Sequence, residues 1–191
     1  MFPTTVWDLV HDAGARDPEA LERFARDYRP PVLEYVRRRV PAADGEDICQ
    51  DVFVRLLAGG VLSRADAEKG SFRRLLRTIT QRVIIDWYRR RQRVAQVEIE
   101  PAAPEPDFDR AWARHLLERA LERLRRESEG YFDVLAGHLA GEKQGRGKLW
   151  IARRKLKGLI RHEIALTCRS PGEIEEECAL LAPYLRPAKK A

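Results

Sequence analysis

The sequence predicts an all-α protein of two small helical lobes joined by a proline-rich linker. Almost every periodic stretch repeats its apolar residues at the helical spacing, and strand-like alternation is essentially absent. Turn-forming residues stand where helix ends need them. Residues 94–107 hold three prolines among acids and alanines and have no apolar face to bury, which indicates a linker. We therefore assign residues 1–93 to a first helical domain, 94–107 to the linker, 108–168 to a second helical domain, and 169–191 to an acidic C-terminal helix and tail.

Four helices are expected in the first lobe. Asp17 precedes a proline and a glutamate, the pattern of an N-cap. Pro31 is expected to open a second helix, Asp44 to cap a third, and Ser71 to cap a long fourth. The inward positions, in helix order, are Leu21, Phe24 and Tyr28; Val32, Tyr35, Val36 and Val40; Ile48, Cys49, Val52, Phe53, Leu56 and Leu57; and Phe72, Leu75, Leu76, Ile79 and Val83.

The second lobe follows the same pattern. Asp107 is expected to cap a helix that buries leucines and a tryptophan, and a shorter helix with Phe132 and Leu135 follows. A glycine-punctuated gap, 141–147, leads into a basic helix, 148–165. Ser170 and Glu173 form a capping box that opens the acidic C-terminal helix.

Charge is distributed unevenly along the 191 residues, of which 35% are charged with a net charge of +6. Residues 69–93 hold nine Lys or Arg and one acid, and residues 143–161 hold eight and no acid. Acids gather instead at residues 44–51 and 173–177. The two basic stretches are consistent with two contacts to a polyanion, or with charge that only solvates exposed helix faces.

Several classes of protein are disfavoured. The four histidines are scattered, and no glycine-rich phosphate loop or nucleophile elbow appears, so we expect no enzyme, cofactor or metal site. Three distant cysteines suit neither a zinc cluster nor a disulfide framework. No signal-peptide pattern and no apolar run of about 18 residues is present, so we expect a cytoplasmic protein without a membrane span.

The long fourth helix is the best candidate for binding nucleic acid. Its arginines cannot all be buried, and the planar guanidinium suits phosphate. Trp87 and Tyr88 lie among them and could stack on unpaired bases. Trp87 could equally be core, one turn beyond Val83. The predicted DNA-binding residues here are Lys69, Arg73, Arg77, Arg82, Trp87, Tyr88, Arg89, Arg90 and Arg91.

The two helices before the linker together resemble a known family. The segments are DGEDICQDVFVRLL at 44–57, KGSF at 69–72 and FRRLLRTITQRVIIDWYRRRQR at 72–93, and the upstream stretch 7–39 is similar to the start of the same region. They resemble region 2 of the extracytoplasmic-function sigma factors. Arg82 stands where many members carry asparagine. The resemblance implies that the fourth helix recognises and helps to melt the −10 promoter element. It also implies that the polar side of the third helix docks on the clamp helices of core RNA polymerase, through Glu46, Asp47, Gln50, Asp51 and Arg55.

The second lobe resembles region 4 of that family only in part. HLLERALERLRRESEGYFDVL at 115–135 is similar to its opening helices and GKLWIARRKLKGLIRHEI at 147–164 to its recognition helix. A helix-turn-helix needs a supporting helix before the recognition helix, and only AGEKQGRG at 140–147 is present, so region 4 is shortened. The basic helix can hold phosphates or carry a merely solvated face. Its candidate DNA-binding residues are Lys148, Arg153, Arg154 and Lys157.

The sequence therefore predicts a sigma factor that directs bacterial RNA polymerase to promoters. Its expected partners are core polymerase and promoter DNA, with an anti-sigma factor as a further candidate. The alternatives are a polymerase-binding interaction protein that no longer fully selects promoters, and a helical DNA-binding regulator that acts without polymerase.

Overall fold

A computed structural model of the chain describes residues 12–13, 17–58, 71–95, 106–168 and 170–185. Across these ranges the regular structure is α-helical, apart from one 3-10 turn at Ala42–Asp44, and no strand occurs, which confirms the all-α prediction. The helices are α1 (Pro18–Arg37), α2 (Gly45–Ala58), α3 (Phe72–Ala95), α4 (Pro106–Glu127), α5 (Glu129–Leu139), α6 (Arg146–Ala165) and α7 (Pro171–Leu181).

Helix α1 is longer than the sequence predicts. Asp17 caps it as expected, since its Oδ1 accepts a hydrogen bond from the Ala20 amide at 2.8 Å. The prediction that Pro31 opens a separate helix is wrong, because α1 runs through both Pro30 and Pro31. A proline inside a helix removes one backbone hydrogen bond and crowds the preceding turn. The second half of α1 offsets that cost by burying Pro31, Val32, Leu33, Tyr35 and Val36.

The core of the first unit is a cluster of aromatic rings from three helices. The ring of Tyr28 on α1 lies 4.8 Å from that of Phe72 on α3 and 5.9 Å from that of Trp112 on α4. Phe108 on α4 meets Tyr35 edge to face at 5.2 Å. Such pairs contribute roughly 0.5–1.5 kcal/mol each beyond the area they bury. The cluster therefore ties α1, α3 and the first turns of α4 together.

The chain divides between Trp112 and Ala113 into two compact units. Phe108 and Trp112 are fully buried and pack with the first unit, although the sequence assigned residues from 108 onward to the second domain. The physical reason is the aromatic cluster, which takes in the first two turns of α4. Most of the predicted linker, 94–107, lies outside the described residues.

The second unit contains the remainder of α4 with α5, α6 and α7. Leu124, Leu135 and Ala152 form its core, against which Leu149, Leu156 and Leu159 of α6 pack together with Tyr131, Phe132 and Val134 of α5. Residues 140–145 connect α5 to α6 and contain no helix, and Gly141 adopts a φ of +90° that favours glycine. The Ser170 hydroxyl accepts a hydrogen bond from the Glu173 amide at 3.1 Å, so the predicted cap of α7 is present.

None of the helices within the described ranges combines the length and the apolar character that a membrane crossing requires.

Candidate nucleic-acid interface

Helices α2 and α3 pack against each other and carry opposite charges along their shared border. Arg91 Nη1 on α3 lies 3.0 Å from Asp44 Oδ2, at the end of the 3-10 turn before α2. Arg90 Nη2 lies 3.5 Å from Asp51 Oδ2. These contacts join residues 39 and 47 positions apart, so the sequence could not show which cation faces which acid. The contact between Arg90 and Asp51 thus joins a predicted DNA-binding residue to a predicted polymerase-binding residue.

In one pair on this border the charges are reversed, with the arginine on α2 and the acid on α3. Arg55 of α2 donates a hydrogen bond to Asp86 of α3 at 2.6 Å, and Arg89 lies 3.8 Å from the other carboxylate oxygen. The Arg55 hydrogen bond, aided by the charges of nearby arginines, lowers the pKa of Asp86 from its ordinary value. Asp86, the single acid within the basic stretch, therefore stays ionised and holds the middle of α3 to α2.

The outward part of α3 is its C-terminal half. Arg82, Arg89, Arg90 and Arg91 are all exposed, as the sequence predicts. The ion pairs of Arg89, Arg90 and Arg91 are at the surface, where an ion pair is worth no more than about 1 kcal/mol, so these guanidinium groups can exchange partners readily. A phosphate backbone is such a partner, and it offers several negative charges in a row.

The two aromatic residues of this helix have different environments. The Trp87 ring is half-buried, lies 4.8 Å from the Tyr88 ring, and carries the Arg91 guanidinium over its face at 5.0 Å. The Tyr88 hydroxyl donates a hydrogen bond to the backbone carbonyl of Arg39. Tyr88 thus anchors α3 to the end of α1. Trp87 is neither fully core nor fully exposed, so part of its ring can meet a base.

Arg73 does not lie on the outward surface, so the prediction that it does is wrong. Its side chain is entirely buried and forms an ion pair with Asp109 at the start of α4. Arg77 is also turned inward, with a side chain 20% exposed and Nη1 3.7 Å from the second Asp109 oxygen. The reason is that α4 covers the beginning of α3 and brings a carboxylate to it. Lys69 lies outside the described residues.

The polar side of α2 presents the predicted polymerase-binding residues. Glu46, Asp47, Gln50, Asp51 and Arg55 are all exposed. Glu46 is held by two arginines of α1, and its Oε1 lies 2.8 Å from Arg37 Nη2. The opposite face of α2 is buried, and burial raises the pKa of the Cys49 thiol to about 11. The helix therefore has one packed face and one polar face open to solvent.

Helix α6 presents a second basic face in the second unit. Lys148, Arg153, Arg154 and Lys157 are all exposed. Arg153 Nη2 lies 2.8 Å from His138 Nε2 at the end of α5. Lys155, which the prediction did not include, is exposed as well and lies over the Tyr131 ring at 5.3 Å.

Trp150 is another exposed residue of α6 that the sequence prediction did not include. Its side chain belongs to α6, is 61% exposed, and carries the Arg154 guanidinium over its ring at 5.3 Å. The sequence does indicate that Trp150 is exposed, because it follows Leu149 directly and so lies outside the apolar stripe. It also stands four residues before Arg154, on the same side of the helix.

Helix α7 approaches the C-terminal end of the same basic face. Glu175 Oε1 accepts a hydrogen bond from Arg161 Nη2 at 2.6 Å, which lowers the pKa of Glu175 and raises that of Arg161. Glu163 is buried and lies 2.8 Å from Arg119 on α4. Two acids of this region thus pair with arginines, Glu175 with Arg161 of α6 and Glu163 with Arg119 of α4, and residues 146–157 contain no acid of their own.

Comparison with known proteins identifies the first of these two basic regions. Residues 24–94 match the family model described as Sigma-70 region 2, a span that runs from the middle of α1 to the end of α3. No curated protein and no solved structure matches the chain. The family match thus covers the helices that carry the first basic region and extends over less than half of the chain.

Proposed function

We propose that the protein is a sigma factor of the extracytoplasmic-function type that directs bacterial RNA polymerase to promoters. The observation that carries the proposal is the border between α2 and α3, within the segment that matches Sigma-70 region 2. There, exposed acids of α2 stand beside exposed arginines and a half-buried tryptophan of α3. One helix thus suits a basic protein surface and the other suits nucleic acid.

In this proposal α2 supplies the contact with core polymerase. Asp47 and Gln50 are exposed and project from the same side as Glu46, Asp51 and Arg55. Carboxylates at the start of a helix are placed favourably, because the positive end of the helix dipole attracts anions. The clamp helices of polymerase are the partner that the family resemblance implies.

Helix α3 supplies promoter opening. Arg89, Arg90 and Arg91 hold the phosphate backbone, and Trp87 offers part of its ring to a base that has left the duplex. Arg82, one to two turns earlier, extends the basic surface along the same helix. Because several phosphates would be neutralised at once, DNA affinity should fall steeply as salt rises.

The second unit contributes a shortened region 4. Only residues 140–145 separate α5 from α6, and no further helix lies between them. In the proposal Lys148, Arg153, Arg154 and Lys157 hold phosphates and position the DNA without reading its bases. The same feature favours a second candidate function, a polymerase-binding protein that no longer selects promoters fully.

Reconstitution with bacterial core polymerase tests the proposal. The wild-type chain should form a core complex on a sizing column and give promoter-dependent transcripts from a genomic fragment library. Asp47→Ala with Gln50→Ala should abolish the complex, whereas Glu118→Ala, an exposed acid on α4, should not. A chain that forms no complex and directs no transcripts would refute both candidates.

The α3 variants separate the two candidates. Arg89→Ala with Arg90→Ala should keep core binding and lose transcription and strand opening, while Arg23→Ala on α1 serves as the matched surface control. Permanganate footprinting of unpaired thymines reports the opening directly. Core binding by the wild-type chain with no opening on any fragment would favour the interaction protein over the sigma factor.

A further inference from the structure

One side of α6 carries a stripe of exposed residues that the sequence prediction covered only in part. Trp150, Arg154, Lys157 and Arg161 follow one another at intervals of four, three and four residues, and Arg146 stands one turn before Trp150. At 3.6 residues per turn these positions share one side of the helix. The opposite side is Leu149, Ala152, Leu156 and Leu159, which pack on the core of the second unit.

Two glycines border this stripe. A Cβ placed on Gly147 or on Gly158 would meet nothing within 4 Å, so neither glycine is required by packing among the described residues. Glycine within a helix destabilises it relative to alanine. Gly158 lies well inside α6, one turn after Arg154. Beside Trp150 and Arg154 the helix backbone is therefore not covered by side chains of these two positions, which lets a flat group approach the backbone closely.

The chemistry of the stripe indicates its ligand. A partner protein with an apolar surface would have little to pack against, because the stripe offers it a single tryptophan surrounded by cations. A nucleic-acid duplex would use the cations, but its bases are already stacked and cannot cover the face of an indole ring. An unpaired base can do so, since stacking on an aromatic ring and phosphate binding by neighbouring cations are what single strands require. Residues 143–161 hold eight cations and no acid, which suits the phosphates.

We propose that the stripe on α6 is a binding site for single-stranded nucleic acid, with one unpaired base stacked on Trp150 and the adjoining phosphates held by Arg154 and Lys157. The inference deepens the phosphate-binding role proposed above for α6 and rests on it, but it does not depend on the roles of α2 and α3. Arg154 lies over the indole ring at 5.3 Å, so a base on that face would displace it toward the phosphate, and a base on the other face would leave it in place.

The experiment measures binding of a fluorescein-labelled oligothymidylate, and of a duplex of equal length, to the full chain by anisotropy. Because α3 also carries cations, each α6 variant is made in a chain bearing Arg89→Ala, Arg90→Ala and Arg91→Ala, all at exposed positions. Trp150→Ala should weaken single-strand binding about 5- to 150-fold, the range expected for one stacked base. Trp150→Phe should keep most of it, and duplex binding should change less than about twofold.

Three outcomes overturn the proposal. In the first Trp150→Ala leaves single-strand binding unchanged, in the second it lowers single-strand and duplex binding equally, and in the third its effect equals that of Trp150→Phe. Lys157→Ala, which keeps the tryptophan, should lower both affinities and flatten the salt dependence. Circular dichroism melts establish that each variant is folded. Promoter-dependent transcription with core polymerase is measured in parallel with the same α6 substitutions in a chain whose α3 is unchanged, so a loss confined to the oligothymidylate assay is distinguishable from a failure of the sigma-factor proposal.

Discussion

Replacing the buried arginine of α3 should destabilise the first unit strongly. Arg73 is wholly buried, and the Asp109 side chain with which it pairs is only 9% exposed. Arg73→Met would leave a buried carboxylate without that partner, with Arg77 at 3.7 Å as a partial substitute. Breaking a buried pair from one side typically costs about 3–5 kcal/mol. We expect the lower part of that range for Arg73→Met, because Arg77 remains, and the upper part for Asp109→Leu, because a fully buried guanidinium is left behind.

The double variant Arg73→Met with Asp109→Leu should recover most of the lost stability, since both charges and their desolvation disappear together. Urea unfolding followed by tryptophan fluorescence measures these changes. In a Trp150→Phe background the signal arises from tryptophans of the first unit alone. With a urea slope of roughly 1–3 kcal/mol per molar, each single variant should lower the midpoint by at least about 1 M.

Arg82→Met is the matched control, because it makes the same substitution at an exposed position of the same helix. It should change the free energy of unfolding by no more than about 0.5 kcal/mol. The reasoning is refuted if Arg73→Met costs less than about 1 kcal/mol, or if the double variant is as unstable as the two single losses added together.

Two other predictions concern the border of α2 and the buried thiols. Asp51→Asn should release Arg90 and raise non-specific duplex affinity by up to about fivefold at low salt, the worth of one exposed ion pair; an unchanged anisotropy titration would contradict this. Burial raises the pKa of Cys49 to about 11 and of Cys168 to about 12, so both stay protonated at neutral pH. Iodoacetamide should therefore alkylate the half-buried Cys178 first, and peptide mapping that finds Cys49 modified earlier would contradict the burial of α2.

Local rules in the sequence predicted the helices well. The all-α class follows from apolar spacing, and the caps at Asp17 and Ser170 follow from residue types that satisfy free amides within three positions. The same kind of rule failed at Pro31. There the local preference for a helix start was outweighed by burial of the following turn, which depends on residues far away in the chain.

The candidate site was harder to predict, because its pairings are long-range. Arg73 and Arg90 have the same side chain on the same helix, yet one is buried and the other is exposed. The difference is that Arg73 pairs with Asp109, which lies 36 residues further along the chain. From the local sequence alone, the acids around Asp109 are expected only to cap a helix. Trp150 was not predicted as an exposed residue, because a tryptophan is usually assigned to the core. Its position outside the apolar stripe of α6 was the local sign that it faces solvent.

The pairing of Arg73 with Asp109 also determines where the chain can be truncated without unfolding the first unit. A fragment that ends within residues 94–107, where the sequence itself suggests a boundary, would lose Phe108, Asp109 and Trp112 together. It would then expose the rings of Tyr28 and Phe72 and leave the guanidinium of Arg73 without its carboxylate. The shortest soluble form of the first unit should therefore extend at least through Trp112, and expression trials that step the C-terminus from 94 to 116 should show solubility appear only beyond that residue.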